Sequence, residues 1–203
     1  YNGEIYDAAK EQEGWNQPDF DAGGWRNAAC DIIDEPDMEL VPNRMEGVTC
    51  IETLAPISRT EPEEGVYVFD FGQEFTGIVS LSELKGKSGD CVTILYGEAL
   101  NEENLSGKDG ADGTVWRDNL LMAQNADYYI MDGDTGAYTP SFVCRAFRYV
   151  QIEGLSEPLE PTNIKAYVLS GIKKETGSFT TSNEDLNQLY KNILWTQRSN
   201  YLD

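Results

Sequence analysis

The chain has 203 residues, 40% of them hydrophobic and 11% aromatic, which is enough to bury one large core or two small ones. Its 36 acidic residues against 15 basic ones give a formal net charge of -21, which sets it against nucleic acid and anionic membrane surfaces; a neutral sugar would be indifferent to that charge. Histidine is absent, so Ser-His and Cys-His nucleophiles are excluded and hydrolytic chemistry inside the chain falls to carboxylates.

Residues 1 to about 29 are rich in Gly, Asp, Asn and Trp and show little periodicity, as expected of the last strand and tail of a preceding sandwich, poorly ordered at this end. From Val48 the pattern changes to short β-branched and aromatic runs: 48–52, 66–71, 77–84, 91–97, 127–131, 142–153 and 164–169. Turn residues separate them at spacings typical of an all-β protein, so an antiparallel β-sandwich is predicted, with Ser80, Ser82, Arg148 and Gln151 on half-exposed faces. Lys85 to Asp90 reads as a loop, and Asp132-Gly-Asp-Thr-Gly supplies glycines for positive φ. The stretch 101–124 is too long for a simple turn.

The last element is helical. Ser182 is the predicted N-cap, with Asp185 three residues on and Glu184 beside it at the positive end of the dipole. Leu186, Leu189, Tyr190, Ile193, Leu194, Gln197 and Tyr201 recur every three or four residues and predict one apolar face. Strands precede it, so that face calls for a helical partner beyond Asp203. The architecture expected is therefore all-β, an antiparallel β-sandwich with one C-terminal α-helix.

Cys30, Cys50, Cys91 and Cys144 form no Cys-x-x-Cys pair, which excludes the usual zinc and thioredoxin patterns. Cys91 and Cys144 read as buried thiols, a disulfide stays open, and a reducing, cytoplasmic compartment is slightly favoured. No run is long and apolar enough for a membrane span, and no leader is visible at Tyr1, although one could lie upstream on a longer parent.

Among candidate sites, Asp109-Gly-Ala-Asp-Gly-Thr has the residue types of a calcium loop without its full register, so a solvated loop is the favoured reading and calcium the alternative; no metal ligand is assigned. Glu4, Asp7, Trp15, Asn16, Asp21 and Trp25 place aromatic faces beside carboxylates and amides, the usual means of holding a sugar ring. Of these, Asp7, Trp15, Asn16 and Trp25 are the candidate substrate-binding residues, against packing in a core or interface for the two tryptophans. Glycoside hydrolysis needs two carboxylates; Asp70 and Glu98 fall in motif-like runs, but a carboxylate paired with Arg145 or Arg148 across the sheet is the simpler explanation.

Several motifs carry a resemblance. Gly177-Ser-Phe-Thr-Thr-Ser-Asn, Leu186-Asn-Gln-Leu-Tyr and Asn192-Ile-Leu-Trp-Thr-Gln-Arg-Ser-Asn-Tyr-Leu-Asp resemble the entry into the catalytic domain of bacterial α-L-rhamnosidases, glycoside hydrolase family 78. Gly65-Val-Tyr-Val-Phe-Asp-Phe-Gly-Gln-Glu-Phe-Thr-Gly-Ile-Val, Leu95-Tyr-Gly-Glu-Ala-Leu and Phe147-Arg-Tyr-Val-Gln-Ile-Glu-Gly resemble that family's β-domain. Tyr1-Asn-Gly-Glu-Ile-Tyr-Asp-Ala and Gly14-Trp-Asn-Gln-Pro-Asp-Phe-Asp-Ala-Gly-Gly-Trp resemble the end of its jelly-roll domain. Asn125-Ala-Asp-Tyr-Tyr departs from the family's commoner pattern and keeps Asp127 and Tyr129.

The resemblance implies residues 1–45 as the tail of a jelly-roll sugar-binding domain and linker, 46–181 as the sandwich, and 182–203 as the first helix of a truncated (α/α)6 catalytic domain. It implies a parent that hydrolyses terminal non-reducing α-L-rhamnose from rhamnosyl glycosides with inversion, its acid and base in the barrel beyond Asp203, so no catalytic residue is carried over to this chain. The chain would then be noncatalytic, its partner the parent's own barrel, with Arg198, Asn200 and Asp203 leading towards the acidic site. The alternatives are a rhamnose- or pectin-binding carbohydrate module and a structural or oligomerisation domain.

Overall fold

The computed structural model describes residues 2–27, 39, 41–44 and 46–202. The order of the described elements is β1 (Ile5–Asp7), β2 (Thr49–Leu54), β3 (Ser58–Glu63), β4 (Val66–Lys85), β5 (Cys91–Gly97), β6 (Ala99–Leu100), β7 (Val115–Trp116), β8 (Ala126–Ile130), β9 (Thr135–Tyr138), β10 (Arg145–Glu153), β11 (Ile164–Ser170) and α1 (Glu184–Asn200). One sheet runs β1-β8-β5-β10-β4-β11-β2, with β3 and β9 also paired to β4, while β6 and β7 form a separate ribbon. The fold is all-β with one helix, as the strand pattern predicts.

The sheet curls because of β4. Predicted as two strands, it runs unbroken for 20 residues. Its first half pairs with β3 and β10, and its second with β11 and β9. Gly72 bends it at φ +73, its N–H donating to Asp70 Oδ1 at 2.6 Å. Gly77 lies opposite both Arg145 and Val168, where an added Cβ would come within 2.1 Å of Tyr167 O, so only glycine lets three strands meet there.

Alternate side chains of these strands fill one core. Phe75 and Phe147 pack edge to face at 4.6 Å, and Tyr96 meets Phe147 at 5.2 Å, which joins β4, β10 and β5. Val79, Ile94, Val150, Ile152, Ile164 and Val168 complete the same cluster. Each fully buried aliphatic or aromatic side chain contributes about 1.5–3 kcal/mol from burial, which makes this cluster the main source of stability.

Several expectations are corrected. One strand pair is parallel, β1 beside β8, because the N-terminal segment does not trail away: Tyr128 N donates to Glu4 O at 2.9 Å, and Tyr6 packs against the core. The helix N-cap is Asn183, not Ser182, since Asn183 Oδ1 accepts from the N–H of both Asp185 and Leu186. Cys91 and Cys144 are exposed free thiols, because each sits where pairing begins and not under the core; Cys30 lies outside the described residues. Gly133 and Gly136 do not have positive φ; Gly136 is needed because a Cβ would press to 2.7 Å from the Tyr129 ring. Gln151 is buried, its Oε1 accepting from Val115 N at 2.8 Å.

The helix docks on the side opposite its apolar face. Trp195 packs against the core, Ser199 Oγ accepts from Thr76 N, and Thr76 Oγ1 donates to Ser199 O at 2.9 Å. At about 100° per residue, Trp195 and Ser199 point away from Leu186, Leu189 and Ile193. Those three are 45%, 52% and 47% exposed.

Candidate functional site

The N-terminal segment distributes its candidate binding residues unevenly. Trp15 and Trp25 are about half-exposed and outside the core. Both adjoin Gln12, which accepts the Trp25 indole N–H through Oε1 and the Trp15 backbone N–H through its carbonyl. Phe20 packs on Trp25 at 5.4 Å, and Asn16 Oδ1 accepts from Gln17 Nε2 at 3.2 Å. Asp7 does different work. Its Oδ1 accepts from Ala9 N, its Oδ2 pairs with Lys10 at 2.7 Å, and the Lys10 hydrogen bond holds its carboxyl below the usual range. Asp7 thus fixes its own turn, while Trp15, Asn16 and Trp25 present two aromatic faces and an amide to solvent. Asp21 accepts from Gly23 N within a turn, and Glu4 is drawn into the sandwich.

Asp127, one of the two residues that keep the family pattern, is the hub of a buried polar cluster. Its Oδ1 accepts from Glu4 N at 2.9 Å and from the Arg145 guanidinium at 2.6 Å; its Oδ2 accepts from Tyr96 OH at 2.8 Å. Arg145 also reaches Asn125 Oδ1 and Ala126 O, and lies 5.0 Å over the Tyr96 ring. Burial, and then the Asp127 charge, push the Tyr96 hydroxyl well above its ordinary value. A carboxylate enclosed in this way, with three donors from Glu4, Tyr96 and Arg145, ties β5, β8 and β10 to the residue that leads into β1 and is closed off from a substrate by burial.

The two carboxylates singled out for hydrolysis are separated in role. Asp70 receives Arg148 Nε and NH2, both at 2.8 Å, and the Arg148 hydrogen bond holds its carboxyl below the usual range. Cross-sheet pairing with arginine is therefore what Asp70 does. Glu98 is exposed and near Glu74, a residue the sequence pattern did not single out. The Glu74 carboxyl is raised, by partial desolvation first and by Glu98 second. Only the tertiary pairing of β10 with both β4 and β5 brings these two close, which local sequence cannot signal.

The 101–124 stretch is organised from inside. Asn101 is 1% exposed and binds Thr114 Oγ1, Thr114 O, Val115 O and the Gly113 and Asp109 N–H groups. Asp109 Oδ2 accepts from Arg117 N, and Asp112 pairs with Lys108 at 2.6 Å. The acids of the calcium-like run thus point to different internal partners. Among the described residues no group of three His, Cys, Asp or Glu gathers as a metal site.

Beside α1 lies an open groove of about 400 Å³ lined by Lys174, Glu175, Tyr190, Ile193, Gln197 and Tyr201. Arg198, expected to lead towards a site beyond the chain, is held at this groove by Glu175 at 2.7 Å and Glu52 at 3.4 Å, and stacks on Trp195. Asn200 donates to Thr196 O, and Asp203 lies outside the described residues. No helix among the described residues is long and apolar enough to cross a membrane.

Comparison with known proteins gives a consistent set of relatives. The family model described as the bacterial alpha-L-rhamnosidase concanavalin-like domain matches residues 60–170. Those described as the alpha-L-rhamnosidase N-terminal domain and the bacterial alpha-L-rhamnosidase 6 hairpin glycosidase domain match residues 1–52 and 174–203. The alpha-L-rhamnosidase of Streptomyces avermitilis is 34% identical over 203 residues, covering 99% of this chain and 18% of its own length. That of an Alteromonas species, strain LOR, is 32% identical over 208 residues, covering 100% and 21%. The solved alpha-L-rhamnosidase from Dictyoglumus thermophilum superposes with a TM-score of 0.87 at 35% identity, over 100% of this chain and 22% of that one. The Streptomyces avermitilis enzyme complexed with L-rhamnose gives a TM-score of 0.81 at 32% identity, over 98% and 18%. The chain spans about a fifth of the length of these relatives.

Proposed function

Because the chain belongs to the bacterial α-L-rhamnosidase family, we propose that it is a noncatalytic β-sandwich portion of a longer enzyme that hydrolyses terminal α-L-rhamnose from rhamnosyl glycosides with inversion. Its domains in that reading are a jelly-roll tail and linker over 1–45, the sandwich over 46–181, and the first helix of the catalytic domain over 182–203. The observation that carries the reading is the way α1 docks: it spends Trp195 and Ser199 on the sandwich and turns Leu186, Leu189 and Ile193 outward. Covered apolar surface stabilises by about 25 cal/mol per Å², so a face of this kind is a ready seat for a further helical layer. The carboxylates support the same view. Asp70 and Asp127 are consumed by arginine pairs, and an inverting pair would need two free carboxyls about 6.5–9.5 Å apart with a water between. The sandwich would then brace the catalytic layer and shape its entrance. Proton NMR of an aryl α-L-rhamnoside digest by the full-length enzyme tests the chemistry: the β-anomer released first supports inversion, and the α-anomer released first contradicts it.

A second reading, a carbohydrate-binding module, is favoured by one observation. Trp15 and Trp25, both bonded to Gln12, expose about half their surface, and Asn16 follows Trp15 in the chain, a set of groups that can cover the C–H face of a pyranose and bond a hydroxyl. Asp7 would join such a site only by giving up Lys10. Rhamnose titrated against tryptophan fluorescence, with and without calcium, tests it; an unchanged spectrum argues for the scaffold alone.

A further inference from the structure

We propose that the groove between residues 120–125 and 141–146 is a second docking surface, and that its occupant is the part of the same polypeptide that leads into Asn2. This rests on the reading of the chain as one portion of a longer enzyme. Leu121, Met122 and Phe142 are 92%, 94% and 92% exposed, more than any apolar side chain on the face of α1. Met122 and Phe142 line a groove of about 800 Å³ together with Asn2, Gly3, Leu120 and Val143, with Leu121 beside it in the chain, and the groove continues past Asn125 and Arg145.

Both lips of the groove are held in place. On one, the Ser141 and Phe142 N–H groups donate to Glu4 Oε2 at 3.2 and 3.0 Å, while Tyr138 OH donates to Glu4 Oε1 at 2.9 Å. On the other, Arg117 binds Gln124 O at 3.1 Å and Arg145 binds Asn125 Oδ1 at 2.9 Å. Leu121 adopts φ +56, a region a bulky non-glycine residue enters only when its surroundings demand it, and Asn125, of a type that accepts it readily, adopts φ +47. Backbone conformation and side-chain hydrogen bonds thus hold the groove-lining Met122 and Phe142, with Leu121 beside them, in water. A contiguous exposed apolar patch on an ordered frame marks an interface, and the fixed lips spare an occupant the entropy of ordering them.

Two features select the occupant. The groove lining is nearly uncharged in a chain of net charge -21, so a second copy would bring two strongly acidic surfaces together to cover it. Residues 2 and 3 line the groove, and Gly3 is pressed so closely that a Cβ would lie 1.6 Å from Ala126 O. Polypeptide attached ahead of Asn2, in a protein as long as the relatives, about five times the length of this chain, would join it at residues that line the groove.

Methionine oxidation tests this. Met122 is 94% exposed and Met131 is 1% exposed, so dilute hydrogen peroxide with mass-spectrometric readout should oxidise Met122 in the 203-residue chain at least about tenfold faster than Met131. In the full-length polypeptide Met122 should slow by about tenfold with Met131 unchanged, and F142E in that polypeptide should restore fast oxidation. Equal Met122 rates in the two chains overturn the proposal. So does protection already present in the 203-residue chain that disappears on dilution, which would name a second copy as the occupant. Rhamnosidase activity measured on the same full-length sample separates the two readings: activity with Met122 unprotected fails the docking alone, and protection without activity fails the functional reading alone.

Discussion

Replacing Asp127 by alanine should bring the protein close to unfolding, although the side chain is not assigned to any chemistry. The change removes the acceptor of three donors at once: the buried Arg145 guanidinium and Tyr96 OH, and the part-buried Glu4 N–H. Breaking a buried ion pair from one side costs about 3–5 kcal/mol, because the surviving charge stays buried and unpaired. Each orphaned neutral donor adds about 1–3 kcal/mol before relaxation and water entry reduce it. A net loss of about 5 kcal/mol is expected, against a total stability of about 5–15 kcal/mol for a domain, and a fall in Tm of about 10–20 °C at this chain length. Urea unfolding followed by far-UV circular dichroism gives the value from the shift in midpoint at constant slope. Y96F, which removes one hydrogen bond to the same oxygen pair, should cost only about 1 kcal/mol. The double variant D127A/R145M should lose at least about 2 kcal/mol less than the sum of its singles, since removing both charges leaves neither stranded. A loss below about 1 kcal/mol for D127A, or additive singles, would refute the view that this cluster fastens β1 to the sheet.

Other outcomes follow from the same contacts. The Arg148 hydrogen bond lowers the folded-state pKa of Asp70 below its unfolded value, so the pair stabilises above about pH 4 and this contribution is lost as the pH falls through the folded pKa; D70N should therefore cost about 1 kcal/mol at pH 7 and progressively less in acid, measured as stability against pH. L189D/I193D should cost the 203-residue chain about 1–2 kcal/mol, since both positions are only half-buried, and destabilise the full-length enzyme by clearly more. W15A and W25A should leave the melting curve of the 203-residue chain nearly unchanged while abolishing any rhamnose-induced fluorescence change, which calorimetric titration would check independently.

The strands legible in the sequence are those with a full alternating face. The run 91–97 matches β5 residue for residue, and 164–169 falls one residue short of β11. Strands that were missed lack that signal: β1 has three residues, β3 contains Pro62, and β9 is Thr-Gly-Ala-Tyr. Each is held by tertiary partners, β1 by Asp127 and β3 and β9 by β4. The split predicted at Gly72 misread a bend as an end, because a positive-φ glycine looks the same in sequence whether the ladder stops or continues. The helix and its apolar face were legible from spacing alone, whereas the choice of Trp195 and Ser199 as the docking side depends on Thr76, 123 residues from Ser199. Likewise, the motif carrying Asp127 signalled importance without saying that the importance is structural.

The measurement that bears most directly on the account is release of rhamnose from an aryl α-L-rhamnoside by the 203-residue chain beside the full-length polypeptide that contains it. Turnover by the full-length polypeptide and none by the 203-residue chain is the predicted result, and it would locate the chemistry outside these residues. Turnover by the 203-residue chain alone would contradict it, and would direct attention to the neighbouring carboxylates Glu74 and Glu98.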